Sequence, residues 1–483
     1  MENKEKKCIG VSNLANESII TNSNEWNKNK PIIVEEIINL FTDNFKDLSK
    51  AFITNLVITK LAQMITSKRV TLVEVGKIVI PNWYSILFAA SGYGKDQLNK
   101  ELDETVFLNF RLFMKDKFKD KYKEELSQIE EKAIELYNDE RQKKAYIETE
   151  KKNIRPLVLE MQDGTQEGFF CEAKAFEKAQ FGSLFLKMSE FGLKLNNASN
   201  ESMQFINCMY TAYDGKVESK SIKSGIREEE VNNIPVNMSL FSDYTLFKGD
   251  LRSTFDLLMQ TGLGRRAMIS FIPIAKLTSE IRTYEEEEEY RQSAKELGEK
   301  LIKLFFRIEN NSCYKLTADA KNSHLNTYKA YLTNLFNNTE DELLKKEIKS
   351  RELKALKLSC LYAALNHPSE LLIKTVDIQQ AITTIEELSN DIKKFLSYIP
   401  HQNDVCDNVF NFFMDNLNKA FTKTDLKVKH FKLFKISRSK FSKEFDEIIK
   451  TVADIAETKG YKLEEYLINN NVGKSYTLLK NNS

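Results

Sequence analysis

The sequence predicts an α/β protein with a mainly parallel sheet, helical segments before and after it, and a winged-helix-like C-terminal domain. Between residues 76 and 275, short apolar runs alternate with amphipathic helical patterns, which is typical of parallel strands joined by helices. The segments on either side repeat apolar residues at helical spacing. Residues 401–483 follow the order helix, helix, helix, strand.

Length and composition narrow the class of protein. With 483 residues, 42% of them hydrophobic, the chain can form several domains with a substantial core. A net charge of +1 argues against a generic polyanion binder, so any contact with nucleic acid would come from local patches. No apolar run approaches the roughly 20 residues that span a bilayer, and the dispersed cysteines contain no C-x-x-C pair. We expect a soluble, cytoplasmic protein with reduced thiols and no membrane partner.

Five parts follow from shifts in composition and periodicity along the chain. The first is rich in Asn, Ser, Lys and Glu, and the α/β core is interrupted by a charged segment with a helical seam. The predicted parts are a mobile tail (1–30), an N-terminal helical segment (31–75), the α/β core (76–275, with a helical insertion at 115–155), a helical cover (276–400) and the winged-helix-like domain (401–483).

Within the core, buried strands are predicted wherever a short apolar run is bounded by Gly or Pro. One helix is expected to run from the glycine loop to about Phe113, and another over Glu201–Tyr213. The predicted strands are Tyr84–Phe88, Leu157–Glu160, Gly182–Met188 and Ile234–Ser242, followed by the stretch "GLGRRAMISFIP".

The cover and the C-terminal domain have their own helical signals. Five glutamates (Glu285–Glu289) suit the positive end of a helix dipole, and further helices are predicted over 341–366 and 376–398. In the C-terminal domain we predict a helix over 404–417, a short helix at "TKTDL", a third helix starting near Ser437 and a strand at "KSYTLLK".

The stretch "YSILFAASGYGKDQL" (Tyr84–Leu98) resembles a strand that runs into a phosphate-binding loop and a helix. Such a loop surrounds an anion with backbone N–H groups and the N-terminus of a helix, and glycine supplies positive φ where it is required. Lys95 would place its charge near the β- and γ-phosphates of ATP. An ordinary strand-to-helix turn is the alternative. The predicted nucleotide-binding residues are Ser91, Gly92, Tyr93, Gly94, Lys95, Asp96 and Gln97.

Asp96 stands where such loops carry a Ser or Thr that ligates Mg²⁺. Conversely, Ser189 stands at the end of a later strand, where an aspartate is usual, directly before Glu190. We therefore hypothesise that Asp96 and Ser189 have exchanged roles as oxygen ligands of Mg²⁺. Glu190 would orient or activate the attacking water. The alternatives are that Asp96 caps the helix and that Glu190 is a surface residue.

Two basic stretches are candidates for binding DNA, single-stranded or duplex. Residues 421–445 contain eight Lys or Arg and two acids, and a helix there could enter a groove of DNA. The loop Tyr213–Gly225 is the second stretch. The candidate contacts are Lys216, Lys220, Lys223, Lys432, Lys435, Arg438, Lys440 and Lys443. Winged helices also bind proteins, so a protein partner for the C-terminal domain is the alternative.

Seven motifs follow one another in the order "ASGYGKD", "DGTQEGFF", "GSLFLKMSEFG", "YDG", "IPVNMSLF", "GLGRRAMISFIP" and "ALKLSCLYAALNH". Together they resemble those of the P-loop ATPases of phages and mobile elements related to RecA/DnaB-type replicative helicases. The resemblance implies a RecA-like core in which Gly92, Gly94 and Lys95 hold phosphates. Glu190 would be the catalytic acid residue, and "DGT" (Asp163–Thr165) would lie near the site.

The same resemblance assigns Arg266 as an arginine that reaches the ATP of a neighbouring subunit, which requires a homo-oligomer, with a hexamer as one option. A surface salt bridge is the alternative for Arg266. The chain departs from the family pattern because no aspartate directly precedes Glu190.

The expected function is an ATP-dependent DNA motor, helicase-like or helicase-loader-like, in phage or mobile-element DNA replication inside a bacterial cell. Primase or other replication proteins are candidate partners. A second interpretation is an ATP-binding scaffold or switch with slow or no hydrolysis. A third is a sequence-specific DNA-binding regulator that uses only the winged domain.

Overall fold

A computed structural model of the chain describes residues 30–480 apart from 91, 163, 190, 192–199, 218–229, 244–261, 274–282, 399–403, 435–440, 459 and 469–472. The chain divides into two compact units, Met1–Leu396 and Ser397–Ser483. Within the described ranges, no helix has the length and apolar character needed to cross a membrane.

The first unit begins with two helices, α1 (Ile32–Asn44) and α2 (Lys50–Thr66), as the apolar spacing predicted. The side chain of Ser49 caps α2 by accepting a hydrogen bond from the backbone N–H of Phe52 at 3.2 Å. Residues 52–66 of α2 are all buried, so this helix is a core element rather than a surface one. A hairpin of β1 (Thr71–Glu74) and β2 (Lys77–Val79) follows.

The chain then enters β3 (Tyr84–Phe88), which leads through the glycine loop into α3 (Lys95–Glu104). The prediction of one helix through Phe113 is wrong, because α3 ends at Glu104 and α4 (Leu108–Leu136) begins after a break. A Cβ on Gly298 would come within 2.9 Å of the Val106 carbonyl oxygen, so another helix packs directly against the backbone of this break. The insertion is a helical hairpin of α4 and α5 (Glu140–Lys151).

The rest of the core alternates helices with strands. In chain order the elements are α6 (Gln166–Ala179), β4 (Leu184–Met188), α7 (Asn200–Ala212), β5 (Lys216–Val217), β6 (Val231–Asn232), β7 (Val236–Ser242), α8 (Leu263–Arg266) and β8 (Met268–Phe271). The predicted strand over 157–160 is wrong. Only Met161 pairs with β4, through an isolated parallel bridge to Leu186, and Val158 before it is exposed.

Four strands form a parallel sheet in the order β4-β7-β3-β8. Nearly every residue of these strands is buried, which explains their continuous apolar runs. The predicted coarse class, a mixed α/β protein with a parallel sheet, is therefore confirmed. Because the strands are parallel, the residues after Phe88, Met188, Ser242 and Phe271 share one edge, called here the carboxyl edge.

The remainder of the first unit contains α9 (Tyr284–Arg307), β9 (Cys313–Leu316), α10 (Asn326–Asn337), α11 (Glu342–Asn366), β10 (Leu372–Ile373) and α12 (Thr375–Tyr398). A second sheet in the order β10-β9-β1-β2 joins this region to the N-terminal segment. Both regions had been predicted as purely helical. These strands have only two to four residues, too few to show an alternating pattern in the sequence.

The second unit contains α13 (Asp404–Asp415), β11 (Phe421–Thr422), α14 (Lys423–Lys429), a 3₁₀ turn (Phe431–Phe434), α15 (Phe441–Thr458), β12 (Tyr461–Ile468) and β13 (Gly473–Lys480). Its antiparallel sheet has the order β11-β13-β12. The three predicted helices and the strand β13 are present, whereas the strands β11 and β12 were not predicted. The core of this unit includes Phe413, Leu426, Phe434, Phe445 and Tyr476.

Candidate nucleotide site

The glycine loop between β3 and α3 has the backbone that a phosphate-binding loop requires. Gly92 has φ +88° and Gly94 has φ +78°, a region that other residues rarely adopt. Gly94 is the N-cap of α3, with no side chain of its own to satisfy the first N–H groups of the helix. The N-terminus of α3, where a helix attracts anions, thus lies at the carboxyl edge of the sheet.

Lys95 is held at the same place. Its side chain is buried, and its Nζ donates to the carbonyl oxygen of Ala89 at 3.0 Å and to that of Ser242 at 3.5 Å. These two carbonyls follow β3 and end β7, which are neighbours in the sheet. A buried ammonium needs acceptors, and weak carbonyl partners can be exchanged for phosphate oxygens.

Ser242 and Asp243, two residues not predicted from the sequence, lie at the end of β7, the strand between β3 and β4. Ser242 is fully buried, and among the described residues its Oγ has no hydrogen-bond partner. Asp243 follows it directly and is half-buried. A polar pair at the end of the long buried run "VNMSLFS" was the signal that could have identified them. Asp243 brings to the carboxyl edge a carboxylate that Ser189 does not provide.

The proposed metal ligands lie at this edge on elements that are not adjacent. Ser189 is exposed and follows β4, whose Met188 pairs with Leu240 of β7. Asp96 is exposed in the first turn of α3. Since β7 lies between β4 and β3, two interstrand spacings, about 10 Å in all, separate the two strands. The described part of the chain contains no group of three His, Cys, Asp or Glu side chains that could hold a metal.

Other predicted nucleotide contacts differ in their surroundings. Tyr93 is buried, whereas Gln97 is exposed and its amide donates to Glu101 Oε1 at 2.8 Å. Gly94, not Asp96, is the N-cap of α3, so the alternative that Asp96 is the capping residue is not supported. Ser91, Glu190 and Asp163 lie outside the described residues. Thr165 caps α6, and its hydroxyl accepts from the Gly168 N–H at 3.1 Å.

A buried network of charged side chains connects α3, the helix after the glycine loop, to neighbouring elements. Lys60 of α2 contacts Asp103 of α3 at 2.7 Å and Glu160 at 3.6 Å, and Arg111 of α4 pairs with both carboxylates. Lys187 of β4 lies 3.9 Å from Glu160. Burial opposes the ionisation of Glu160, but Lys60 and Arg111 outweigh it and hold its pKa below the usual value. The network therefore connects α3 to α2, α4 and β4, the strand that precedes Ser189.

Arg266 lies at the opposite edge of the sheet. It ends α8 just before β8, and Met268 of β8 pairs with Ser85 near the start of β3. Its guanidinium is 2.8 Å from Asp214 and lies over the ring of Tyr210, 3.8 Å from the centroid. Arg266 therefore does not face the glycine loop of its own chain, and its contact with the ATP of a neighbouring subunit stays a prediction.

Few of the predicted DNA contacts can be placed. Lys216 begins β5, is exposed, and pairs with Glu230 at 3.0 Å. Lys432 lies in the 3₁₀ turn and Lys443 in α15, although their side chains are not described. Lys220, Lys223, Lys435, Arg438 and Lys440 lie outside the described residues.

Neither a protein-family model nor a curated protein sequence matches the chain. The carboxyl edge nevertheless offers groups that could bind the phosphates of a nucleoside triphosphate. Two glycines with positive φ precede the N-terminus of α3, Lys95 has an ammonium, and Asp96 and Asp243 have carboxylates that could face a cation carried by the phosphates. Beside Lys95, the buried Ser242 hydroxyl has no hydrogen-bond partner among the described residues and could donate to such a ligand.

Proposed function

We propose that the chain is an ATPase with a RecA-like core that acts on DNA as a motor, helicase-like or helicase-loader-like. The observation that carries the proposal is the position of Lys95, the first residue of α3, whose ammonium contacts the carbonyl oxygens at the ends of β3 and β7. The strand order β4-β7-β3-β8 supports it, because the predicted nucleotide-binding and metal-binding residues then follow strands of one parallel sheet.

Each residue of the site has a defined task in this proposal. The N–H groups around Gly94 and the Lys95 ammonium bind the β- and γ-phosphates and neutralise their charge. Asp96, Ser189 and Asp243 supply oxygen ligands or hold the waters of Mg²⁺, which would neutralise phosphate charge when bound. Glu190 orients the attacking water, and Arg266 of a neighbouring copy stabilises the transferring phosphoryl group.

The second unit supplies a further contact in this proposal. Its element order, helix, strand, helix, turn, helix and two strands, supports a winged-helix-like fold. A basic segment precedes and enters α15, the helix that would face a DNA groove. We propose that this unit binds DNA or a replication partner.

A second candidate function is an ATP-controlled switch that hydrolyses slowly. Two observations favour it: a serine stands at the end of β4 in place of a carboxylate, and Arg266 is held by Asp214 and Tyr210 of its own chain. A motor should show ATPase activity that DNA stimulates. A switch should bind ATP and leave its activity unchanged when single-stranded or duplex DNA is added.

Calorimetric titration with ATP and Mg²⁺ tests the proposal. Lys95→Ala should abolish binding, because it removes the only predicted ammonium of the site. Lys100→Ala is the matched control: Lys100 lies on the same helix but is exposed and pairs with Glu104. Equal binding by both variants and the unchanged protein, or no Mg²⁺-dependent binding by any of them, would contradict the nucleotide site.

Asp243→Asn tests the newly identified carboxylate. It should weaken ATP binding in the presence of Mg²⁺ by about tenfold and have little effect in its absence, because it removes a negative charge near the metal rather than a phosphate contact. An equal loss with and without Mg²⁺ would show that Asp243 acts on the loop and not on the metal.

A further inference from the structure

Two neighbouring cavities lie at the base of the helical insertion. The larger, of about 870 Å³, is enclosed by α4, the segment 152–157 and the C-terminal half of α6. The smaller, of about 360 Å³, lies between α4 and residues that include Ser67, Phe305 and Asn310. Lys121 lines both cavities, so they are treated together as the insertion groove. The groove borders the residues between α6 and β4, which puts it at the edge of the sheet opposite the glycine loop.

Cationic side chains outnumber carboxylates along this groove. Those of the larger cavity are Lys121, Lys152, Arg155, Lys174 and Lys178, against Glu125 and Glu177. Those of the smaller cavity are Lys68, Lys117 and Lys121, against Asp120 and Glu124. Because the whole chain has a net charge of only +1, this is a local positive surface on a nearly neutral protein.

Some of these cations already have partners. Arg155 pairs with Glu172 at 2.6 Å, and Lys178 with Glu125 at 3.3 Å. In contrast, no carboxylate among the described residues forms an ion pair with any of four groove lysines, namely Lys68, Lys117, Lys152 and Lys174. Burial and the neighbouring Lys117 lower the pKa of Lys68, so like charges are held close together there. The arrangement suits a ligand that carries several negative charges.

Aromatic rings accompany these lysines. Phe113 and Phe305 line the smaller cavity, with the Nζ of Lys68 4.5 Å from the centroid of Phe305. Phe306 is 54% exposed and its ring is 5.1 Å from that of Phe113. Tyr122 is half-buried in the larger cavity. Phe305 is buried, so the rings open to a base are the half-buried Tyr122 and Phe306, which lies outside the cavity lining but contacts Phe113. Rings beside lysines are the combination that binds single strands, because unpaired bases stack on the rings while phosphates contact the cations.

We propose that the insertion groove binds single-stranded DNA. The four unpaired lysines contact its phosphates, and Tyr122 and Phe306 offer stacking surfaces for bases. From Phe113 to Glu125 α4 is about 18 Å long, enough for more than one nucleotide to lie along it. The choice of DNA as the ligand of the groove rests on the proposed function. Binding of the single strand to the groove needs no ATP.

The test compares two triple variants of the full chain. The groove variant reverses the charge of three exposed groove lysines, through Lys117→Glu, Lys152→Glu and Lys174→Glu. Lys123→Glu with Lys132→Glu and Lys144→Glu reverses three exposed lysines of the insertion that lie outside the groove. Both variants change the net charge equally. Fluorescence anisotropy with labelled oligo-dT, without nucleotide and at several salt concentrations, measures the affinity, and circular dichroism checks the fold.

The groove variant should bind oligo-dT at least about tenfold more weakly, and the log–log salt slope should fall by roughly 0.7 for each phosphate that is no longer neutralised by a lysine. The control variant should stay within a few-fold of the unchanged protein. Equal weakening in the two variants would overturn the proposal. A weakening for duplex DNA as large as for the single strand would overturn the single-strand assignment, and a weakening for RNA alone would overturn the assignment to DNA.

Cys171 provides a second readout without changing the charge. Its exposed thiol lines the larger cavity, so bound oligo-dT should slow its alkylation, measured by peptide mass spectrometry. Unprotected Cys171 under saturating oligo-dT would contradict the groove. The same alkylation experiment on Lys95→Ala separates the two proposals. If oligo-dT protects Cys171 but neither the unchanged protein nor Lys95→Ala binds ATP, the ATPase proposal is contradicted and the groove proposal is retained.

Discussion

At the scale of single residues, the candidate site depends on backbone conformation more than on side-chain space. A Cβ on Gly92 would meet nothing within 4 Å, and one on Gly94 would lie 3.8 Å from the ring of Phe45, an ordinary contact. Space alone would thus permit a larger residue at either position. The positive φ values are what demand glycine, since they aim successive N–H groups into the loop.

Gly94→Ala should therefore destabilise the protein by about 1–2 kcal/mol, because alanine is strained at φ +78°. It should also weaken ATP binding, since relief of the strain would turn the first N–H groups of α3 away. Gly168→Ala is the matched control: Gly168 lies in the first turn of α6, where an added Cβ would meet only the Thr165 hydroxyl at 3.5 Å. That variant should be neutral or slightly more stable. Urea unfolding and calorimetry measure the two effects, and equal stability of the variants would contradict the strain argument.

At the scale of elements, α11 shows how a buried helix accommodates charge. Arg351 is buried and contacts Glu347 Oε2 through its Nε at 2.8 Å and Glu386 through its Nη1 at 2.8 Å. Lys354 is equally buried, but its Nζ is 3.6 Å from Glu347 Oε1 and has no hydrogen-bond partner among the described residues. Burial lowers the pKa of Lys354 from 10.5 to about 8. The sequence predicted this helix, but its pattern did not reveal that the charged residues face the interior.

Stability should consequently rise with pH between about 8 and 10.5, because the native Lys354 has lost its proton while the unfolded one retains it. Lys354→Met should be more stable at neutral pH by about 1 kcal/mol, since it removes a poorly paired buried ammonium and leaves the Arg351 pairs intact. The free energy of unfolding of Lys354→Met should rise less between about pH 8 and 10.5 than that of the unchanged protein. Urea unfolding of both proteins at neutral and alkaline pH measures this, and parallel pH profiles would contradict the assignment.

At the scale of the whole molecule, the second unit has a core of its own. Val409, Phe413 and Phe445 pack with Tyr476 and Leu478 inside residues 397–483, and every strand of its sheet comes from the same segment. The first unit is held together by strand pairing between residues far apart in the chain. Its second sheet pairs β1 near the N-terminus with β9, more than 200 residues later in the chain, and β9 in turn pairs with β10.

A chain ending at Leu396 should therefore fold cooperatively and keep its Lys95-dependent ATP binding, because every strand that the structure describes in the sheets of the first unit precedes that residue. A chain ending before Leu372 should fail to fold, since it lacks β10 and the whole of α12, whose buried residues belong to the core. Scanning calorimetry compares the two. A single, equally cooperative transition in both truncated chains would contradict this division.

The sequence alone determined the strand β3, the glycine loop and the start of α3, because the apolar run, the glycines and Lys95 are contiguous and their interactions are local. Periodicity also predicted most of the helices and the helical character of the insertion, whereas the structure shows that the insertion is a hairpin whose first helix begins at Leu108. Only the tertiary structure decided that Ser242 and Asp243 lie beside the loop, that Arg266 lies at the opposite edge, and that two helical regions share a sheet. These relations join residues far apart in the chain, and strand order and packing set them rather than any local pattern.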